Sequence, residues 1–183
     1  MDFLRHGLKL IQQSERSDQH FNLLTMNINE QLITTFYRSF QKLDAAGMNE
    51  CYSPDAVFFD PVFGLLNTDE LKAMWAMLCN NAKDLEITFE NITSIDDEYY
   101  TCNWTATYTF SRTGRKVVNK IKAYMRFSDG KIIEHSDAFS LYKWTKQAFG
   151  ITGFLLGWSN FFQKKIRKQA RQNLEKFMLK TKN

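Results

Sequence analysis

Proline is almost missing from this chain of 183 residues, which has two, and glycine is limited to eight. A disordered or low-complexity chain is richer in both and poorer in aromatics, yet here 15% of residues are aromatic. Cysteine is scarce as well. Cys51, Cys79 and Cys102 are odd in number and widely spaced. That excludes a disulfide framework, points to a reducing, cytoplasmic setting, and makes a cysteine metal site unexpected. Long apolar runs are absent. The best stretch, Phe149 to Trp158, is interrupted by three glycines and falls well short of the ~20 residues a spanning helix needs. The opening MDFLRHGLKLIQQ lacks the apolar core of a secretory signal. Finally, the body lacks positive charge. Residues 164–183 carry eight Lys or Arg against Glu175 alone, so a chain of net charge +4 is −3 over residues 1–163. A basic tail on a mildly acidic body argues against nucleic acid as a partner.

What is present suits one domain with a substantial core. Residues 1–25 show little pattern and read as a loosely ordered extension ahead of Met26. The domain proper is expected over 26–158, followed by a basic amphipathic helix over 159–183. Asn27 or Asn29 caps a helix carrying Ile33, Phe36 and Phe40 on one face, running to Ala45 and ended by Gly47. A short helix over 49–52, a turn at Ser53-Pro54-Asp55 and a strand from Ala56 to Asp60 follow. Thr68 is placed to cap the next helix, which buries Leu71, Met74 and Trp75. Strands follow over 85–93 and 99–110, the second with Tyr100, Cys102, Trp104, Ala106 and Tyr108 on one face and threonines on the other. The glycines at 150, 153 and 157 read as a bend, and Ser159 as the cap of a last helix. Helices first and an antiparallel meander after them make the class α+β.

The most informative stretch is the hairpin from Val117 to Tyr142. In its first strand Val117, Ile121, Ala123, Met125 and Phe127 share a face, and in its second Ile133, His135, Asp137, Phe139 and Leu141 do. A two-residue Asp129-Gly130 turn would put the second set outside. A three-residue loop with Gly130 left-handed keeps both sets in, with His135 opposite Ala123 and Asp137 opposite Ile121. In that register two ionisable groups lie ~7 Å apart on an otherwise apolar inner face, where burial without partners is costly.

Three motifs carry a family resemblance: the helix ending in LDAAG, the PDAVFFDPVFG strand and turn, and RFSDGKIIEHSDAF in the hairpin. Together with the element order, they resemble the nuclear transport factor 2-like superfamily, which includes SnoaL-like polyketide cyclases and ketosteroid isomerase. The resemblance covers about Asn27 to Gly157. It implies a curved antiparallel sheet wrapped round N-terminal helices, a cone with one pocket, to which this chain adds its C-terminal amphipathic helix. It further implies that Asp60, in Phe59-Asp60-Pro61, matches the general base of ketosteroid isomerase. That enzyme's protonated oxyanion-hole Asp is replaced here by Ala123, and its helix Tyr has no clear counterpart, with Phe40 or Ser39 nearest and Tyr37 off register.

The candidate catalytic residues are therefore Asp60, His135 and Asp137. Each also has a plain structural role open to it: a turn residue before Pro61, and a hydrogen-bonded pair inside the sheet. Phe40, Trp75, Tyr100, Trp104, Tyr108, Ala123 and Met125 are the candidate pocket lining, the aromatic ones serving first as core. No cofactor and no metal is expected. Two functions fit: a cofactor-independent isomerase, cyclase or hydrolase moving protons on a small hydrophobic carbonyl compound, or a non-catalytic binding or dimerisation module. A homodimer through the threonine-rich outer sheet face is expected. For the C-terminal helix, docking on the domain or on a dimer partner with a solvated basic face is preferred over contact with a membrane surface.

Overall fold

Alternation and capping decide most of the architecture. The computed structural model describes residues 27–181; the expected extension over 1–25, and Met26 itself, lie outside them. Asn27 accepts the Asn29 N–H and opens helix α1, Ile28–Gln41. Leu43 then takes a left-handed turn (φ 56°) without a glycine. Asp44 caps α2, Ala45–Glu50, by accepting the Gly47 N–H at 2.9 Å. Gly47 thus lies inside a second helix and does not end the first. The chain enters β1 (Tyr52–Asp60) at once, so Ser53-Pro54-Asp55 is extended, with the strand bulging between Tyr52 and Val57. Strand β2 (Gly64–Leu66) is short, and helix α3 (Thr68–Asn81) is capped by Asn67, one residue before Thr68. Asn67 and Glu70 bond each other's backbone in a capping box, which satisfies two otherwise orphaned N–H groups.

Strands β3 (Glu86–Ser94), β4 (Tyr99–Phe110), β5 (Arg115–Ser128) and β6 (Lys131–Ala138) complete a six-stranded sheet in the order β2-β1-β6-β5-β4-β3. All neighbours are antiparallel except β1 and β6, which run parallel. Bulges in three ladders add twist and curl the sheet round α1 and α3. Phe36, Tyr37 and Phe40 of α1 meet Tyr52, Phe89, Trp104 and Trp75 edge-on, stacked or tilted, at centroid distances of 5.2 to 5.9 Å.

The central hairpin departs from the expected register. Its turn is the two-residue one, Asp129 (φ 50°) and Gly130 (φ 68°), pairing Ser128 with Lys131 and Phe127 with Ile132. Two left-handed residues match the twist of the strands they join. Parity is rescued afterwards: Ile133 is an extra residue, since Arg126 pairs with Glu134 directly after Phe127 pairs with Ile132. The bulge turns His135 and Asp137 inward, opposite Met125 and Ala123 and not opposite Ala123 and Ile121.

Three helices follow: α4 (Leu141–Phe149), α5 (Ile151–Leu156) and α6 (Asn160–Thr181). The glycine segment is therefore helical, hinged at Gly150 (φ 60°). Ser159 caps α6 by accepting the Phe162 N–H at 3.2 Å. The last helix is integral to the fold. Leu174 is 1% exposed within the main core, and Arg171 bridges to Glu70 at 3.0 Å and to the Leu65 carbonyl.

Candidate functional site

Between the concave sheet face, α3 and α6 lies a cavity of about 1310 Å³. Its wall includes Phe40, Phe58, Trp75, Trp104 and Tyr108, and of the carboxyl groups lining it Asp60 and Asp137 are buried while Asp84 is exposed. Asp60 ends β1. Its Oδ1 accepts the N–H groups of Val62 (2.9 Å) and Phe63 (2.5 Å) across Pro61, an Asx turn that fixes the carboxyl. Burial pushes its pKa up to about 7, against those two hydrogen bonds, and the charge of Asp137 adds to the rise.

Asp137 and His135 come from β6, two residues apart and hence on one face. They belong to a continuous buried chain. Trp75 Nε1 donates to Tyr52 Oη at 3.1 Å, Tyr52 Oη lies 2.6 Å from His135 Nδ1, and His135 Nε2 lies 3.3 Å from Asp137 Oδ1. Trp104 Nε1 donates to the same Asp137 oxygen at 3.0 Å. One assignment gives every hydrogen an acceptor: Tyr52 O–H donates to Nδ1, and Nε2–H donates to Asp137. The imidazole is then neutral, in a box of Phe36, Phe58, Tyr52 and Trp75 with centroids 5.1 to 6.2 Å away. Burial holds the Tyr52 hydroxyl well above its ordinary pKa, so it serves as a donor and not as a phenolate.

The candidate residues thus divide. Asp60 and Asp137 reach the cavity, while His135 stands behind Asp137 and touches the space only through it. Phe40, Trp75, Trp104 and Tyr108 line the cavity; Tyr100, Ala123 and Met125 are buried elsewhere in the core and do not. Tyr108 Oη accepts the Trp144 Nε1–H at 2.8 Å. Among the described residues no cluster of His, Cys, Asp and Glu could hold a metal ion.

Two buried tyrosines beside the site are not among its sequence candidates, and one of them, Tyr37, sits off the register of the helix Tyr that the resemblance implies. Tyr52 carries no motif, and its alignment with His135 depends on the parallel pairing of β1 with β6. Tyr37 lies on α1 between Phe36 and the sheet, fully buried, its hydroxyl without a hydrogen-bond partner among the described residues. Burial raises its pKa first, and the nearby Asp137 charge raises it further.

With this geometry in view, comparison with known proteins decides the family. The pattern of the SnoaL-like domain matches residues 33–135, more than half of the chain. The chain belongs to the SnoaL-like family. Its sheet wrapped round helices is the nuclear transport factor 2-like fold, shared with many solved structures. TerC, co-crystallised with polyporic acid, superposes with a TM-score of 0.60 at 17% identity, covering 68% of this chain and all of that one. IdmH, a putative polyketide cyclase from Streptomyces antibioticus, gives 0.56 at 20% identity, covering 64% and 96%. A nuclear transport factor 2-like protein of unknown function from Burkholderia pseudomallei gives 0.56 at 20%, covering 63% and 92%. At these identities the likeness is one of fold. No curated protein matches the chain by sequence. The SnoaL-like match ends at His135, so Asp137 and the three last helices stand beyond it.

Proposed function

We propose that this SnoaL-like protein is a cofactor-independent catalyst of proton transfer on a hydrophobic, carbonyl-bearing molecule: an isomerase, cyclase or hydrolase. The observation carrying this is Asp60, a buried carboxyl with a pKa of about 7 facing an apolar cavity across from a second carboxylate. A base poised near neutrality can take a proton from carbon next to a carbonyl and return it elsewhere. Asp137, held by His135 and Trp104, can act as the second proton carrier, accepting a proton and returning it to the substrate. The cavity exceeds the ~300–1,000 Å³ of common ligand sites, which suits a multi-ring molecule. Lys83, Lys165, Lys176 and Lys180 at its rim favour one with an acidic or enolic oxygen.

The test is α-hydrogen exchange of a bicyclic aromatic ketone, 2-tetralone, in deuterium oxide, followed by proton NMR. The protein should accelerate exchange, and Asp60→Asn should reduce the acceleration by roughly 10²-fold or more while the fold is retained. Absence of any acceleration would defeat the catalytic proposal. The alternative is a non-catalytic small-molecule-binding module, favoured by one observation: the hydrogen bonds of the His135 chain are completed within the protein. We further propose that the protein pairs with a second copy through its outer sheet face, where Val57, Phe59, Leu65 and Tyr124 stand exposed.

A further inference from the structure

Helix α5 is built inside out. Its buried positions are glycines: Gly153, and Gly157 just after it, pack against Thr145 of α4 so closely that a Cβ on either would overlap a Thr145 oxygen. Its large residues point the other way. Ile151 is 79% exposed, Phe154 54% and Leu155 58%, and Trp158 and Phe161 beyond the helix reach 70% and 80%. Trp158 gives its Nε1–H to the Leu155 carbonyl at 2.8 Å, so it shows solvent a ring with its polar group already satisfied. Tyr142 bonds the Phe154 carbonyl, and Lys146 lies 5.3 Å from the Phe154 ring centre. The knuckle is therefore tied to α4 by contacts on its packed side. A contiguous apolar patch of this kind marks an interaction surface.

Its electrostatic setting narrows the occupant. Between Asp137 and Glu175 the chain has no acidic residue, yet it carries Lys143, Lys146, Lys164, Lys165, Arg167, Lys168 and Arg171. Arg167 and Arg171 are spent on docking α6, to the Pro61 carbonyl and to Glu70. Lys164, Lys165 and Lys168 are exposed, and with Phe161 they follow the i, i+3, i+4, i+7 spacing of one helix face. An apolar tip continued by a lysine face complements an anionic lipid surface: rings enter the acyl boundary while ammonium groups meet the headgroups. The chain's own residues 1–26 offer no such complement, with three acids balanced by three Lys or Arg. The cavity also opens here, since Phe149, Thr152, Phe162 and Lys165 line it.

We propose that the α5 knuckle and the lysine face of α6 dock this protein peripherally on an anionic bilayer, with the cavity opening beside the membrane. Contact is local and interfacial, and no helix of the described residues is long and apolar enough to cross a membrane. This inference is independent of the chemistry assigned to Asp60 and Asp137.

The experiment is vesicle co-sedimentation of the full chain without added ligand, comparing phosphatidylcholine vesicles with vesicles containing a third phosphatidylglycerol. Binding is expected to the anionic vesicles and to weaken as salt is raised. Leu155→Asp with Phe161→Asp, and separately Lys164→Glu with Lys168→Glu, should each reduce it roughly tenfold or more. Asp60→Asn should bind as the parent does, which separates this surface from the cavity chemistry. No binding to anionic vesicles, or equal binding by the variants, overturns the proposal. So does a parent that fails to bind while Leu155→Asp either dissolves a dimer in sedimentation velocity or lowers the melting temperature by several degrees. Those results would assign the patch to a second copy or to the chain's own residues.

Discussion

Asp137 stands directly opposite Ala123 across the β5–β6 ladder. Ala123 is where the resemblance to ketosteroid isomerase would place a hydrogen-bonding carboxyl, and it is completely buried. The residue paired with it on the neighbouring strand carries a carboxyl, which accepts from Trp104 Nε1 and lies 3.3 Å from His135 Nε2. Two buried carboxyl groups, Asp60 of β1 and Asp137 of β6, thus line the cavity.

Asp60 should make stability depend on pH with a definite sign. An acid with a folded-state pKa of about 7 keeps its proton longer folded than unfolded, where the ordinary value is 3.8. Its burial is harmless below pH ~4, destabilises increasingly as pH rises toward ~7, and costs a constant amount above that. Asp60→Asn retains an oxygen for the Val62 and Phe63 N–H groups. It should be more stable than the parent by a few kcal/mol at pH ~8, with the gap closing by pH ~4. Urea unfolding at both pH values measures this, and a pH-independent gap would show that Asp60 is an ordinary exposed acid.

Tyr52→Phe should cost ~2–3 kcal/mol, because it strands Trp75 Nε1–H and His135 Nδ1 in a buried box while keeping the ring. Near-ultraviolet circular dichroism should show retained packing. An unchanged denaturation midpoint would mean that the chain from Trp75 to Asp137 does not hold together as described.

Tyr37→Phe is expected to behave oppositely. The Tyr37 hydroxyl is buried without a partner among the described residues, so its removal should be neutral or stabilising by ~1 kcal/mol. A loss of more than ~1 kcal/mol in the same assay would reveal a hydrogen bond that this structure does not contain.

The outer sheet face gives a prediction about assembly. Sedimentation at tens of micromolar should find a dimer, which Phe59→Glu, at a position 51% exposed, converts to monomer. A monomer from the outset would remove the proposed pairing.

Some of this protein was legible in residue order alone. The α+β class, the first long helix, the long strand from Tyr99 to Phe110, and the inward facing of His135 and Asp137 follow from periodicity, because which face a side chain takes is largely a local property of a helix or strand. The hairpin register was not legible. It is a balance between a twist-matched Asp129-Gly130 turn and a bulge at Ile133, and only their combination keeps the polar pair inside. Helix starts, too, shifted between adjacent cap-forming residues such as Asn67 and Thr68, which differ little in local preference. What only tertiary structure decided are the encounters between distant segments. Tyr52 reaches His135 across 83 residues because β1 runs parallel to β6. The glycines after Phe149 read as a bend, yet they form the packed side of a helix, because close approach to Thr145 stabilises what local propensity disfavours. Periodicity reports which side chains share a face; it carries no information about which other element that face will meet.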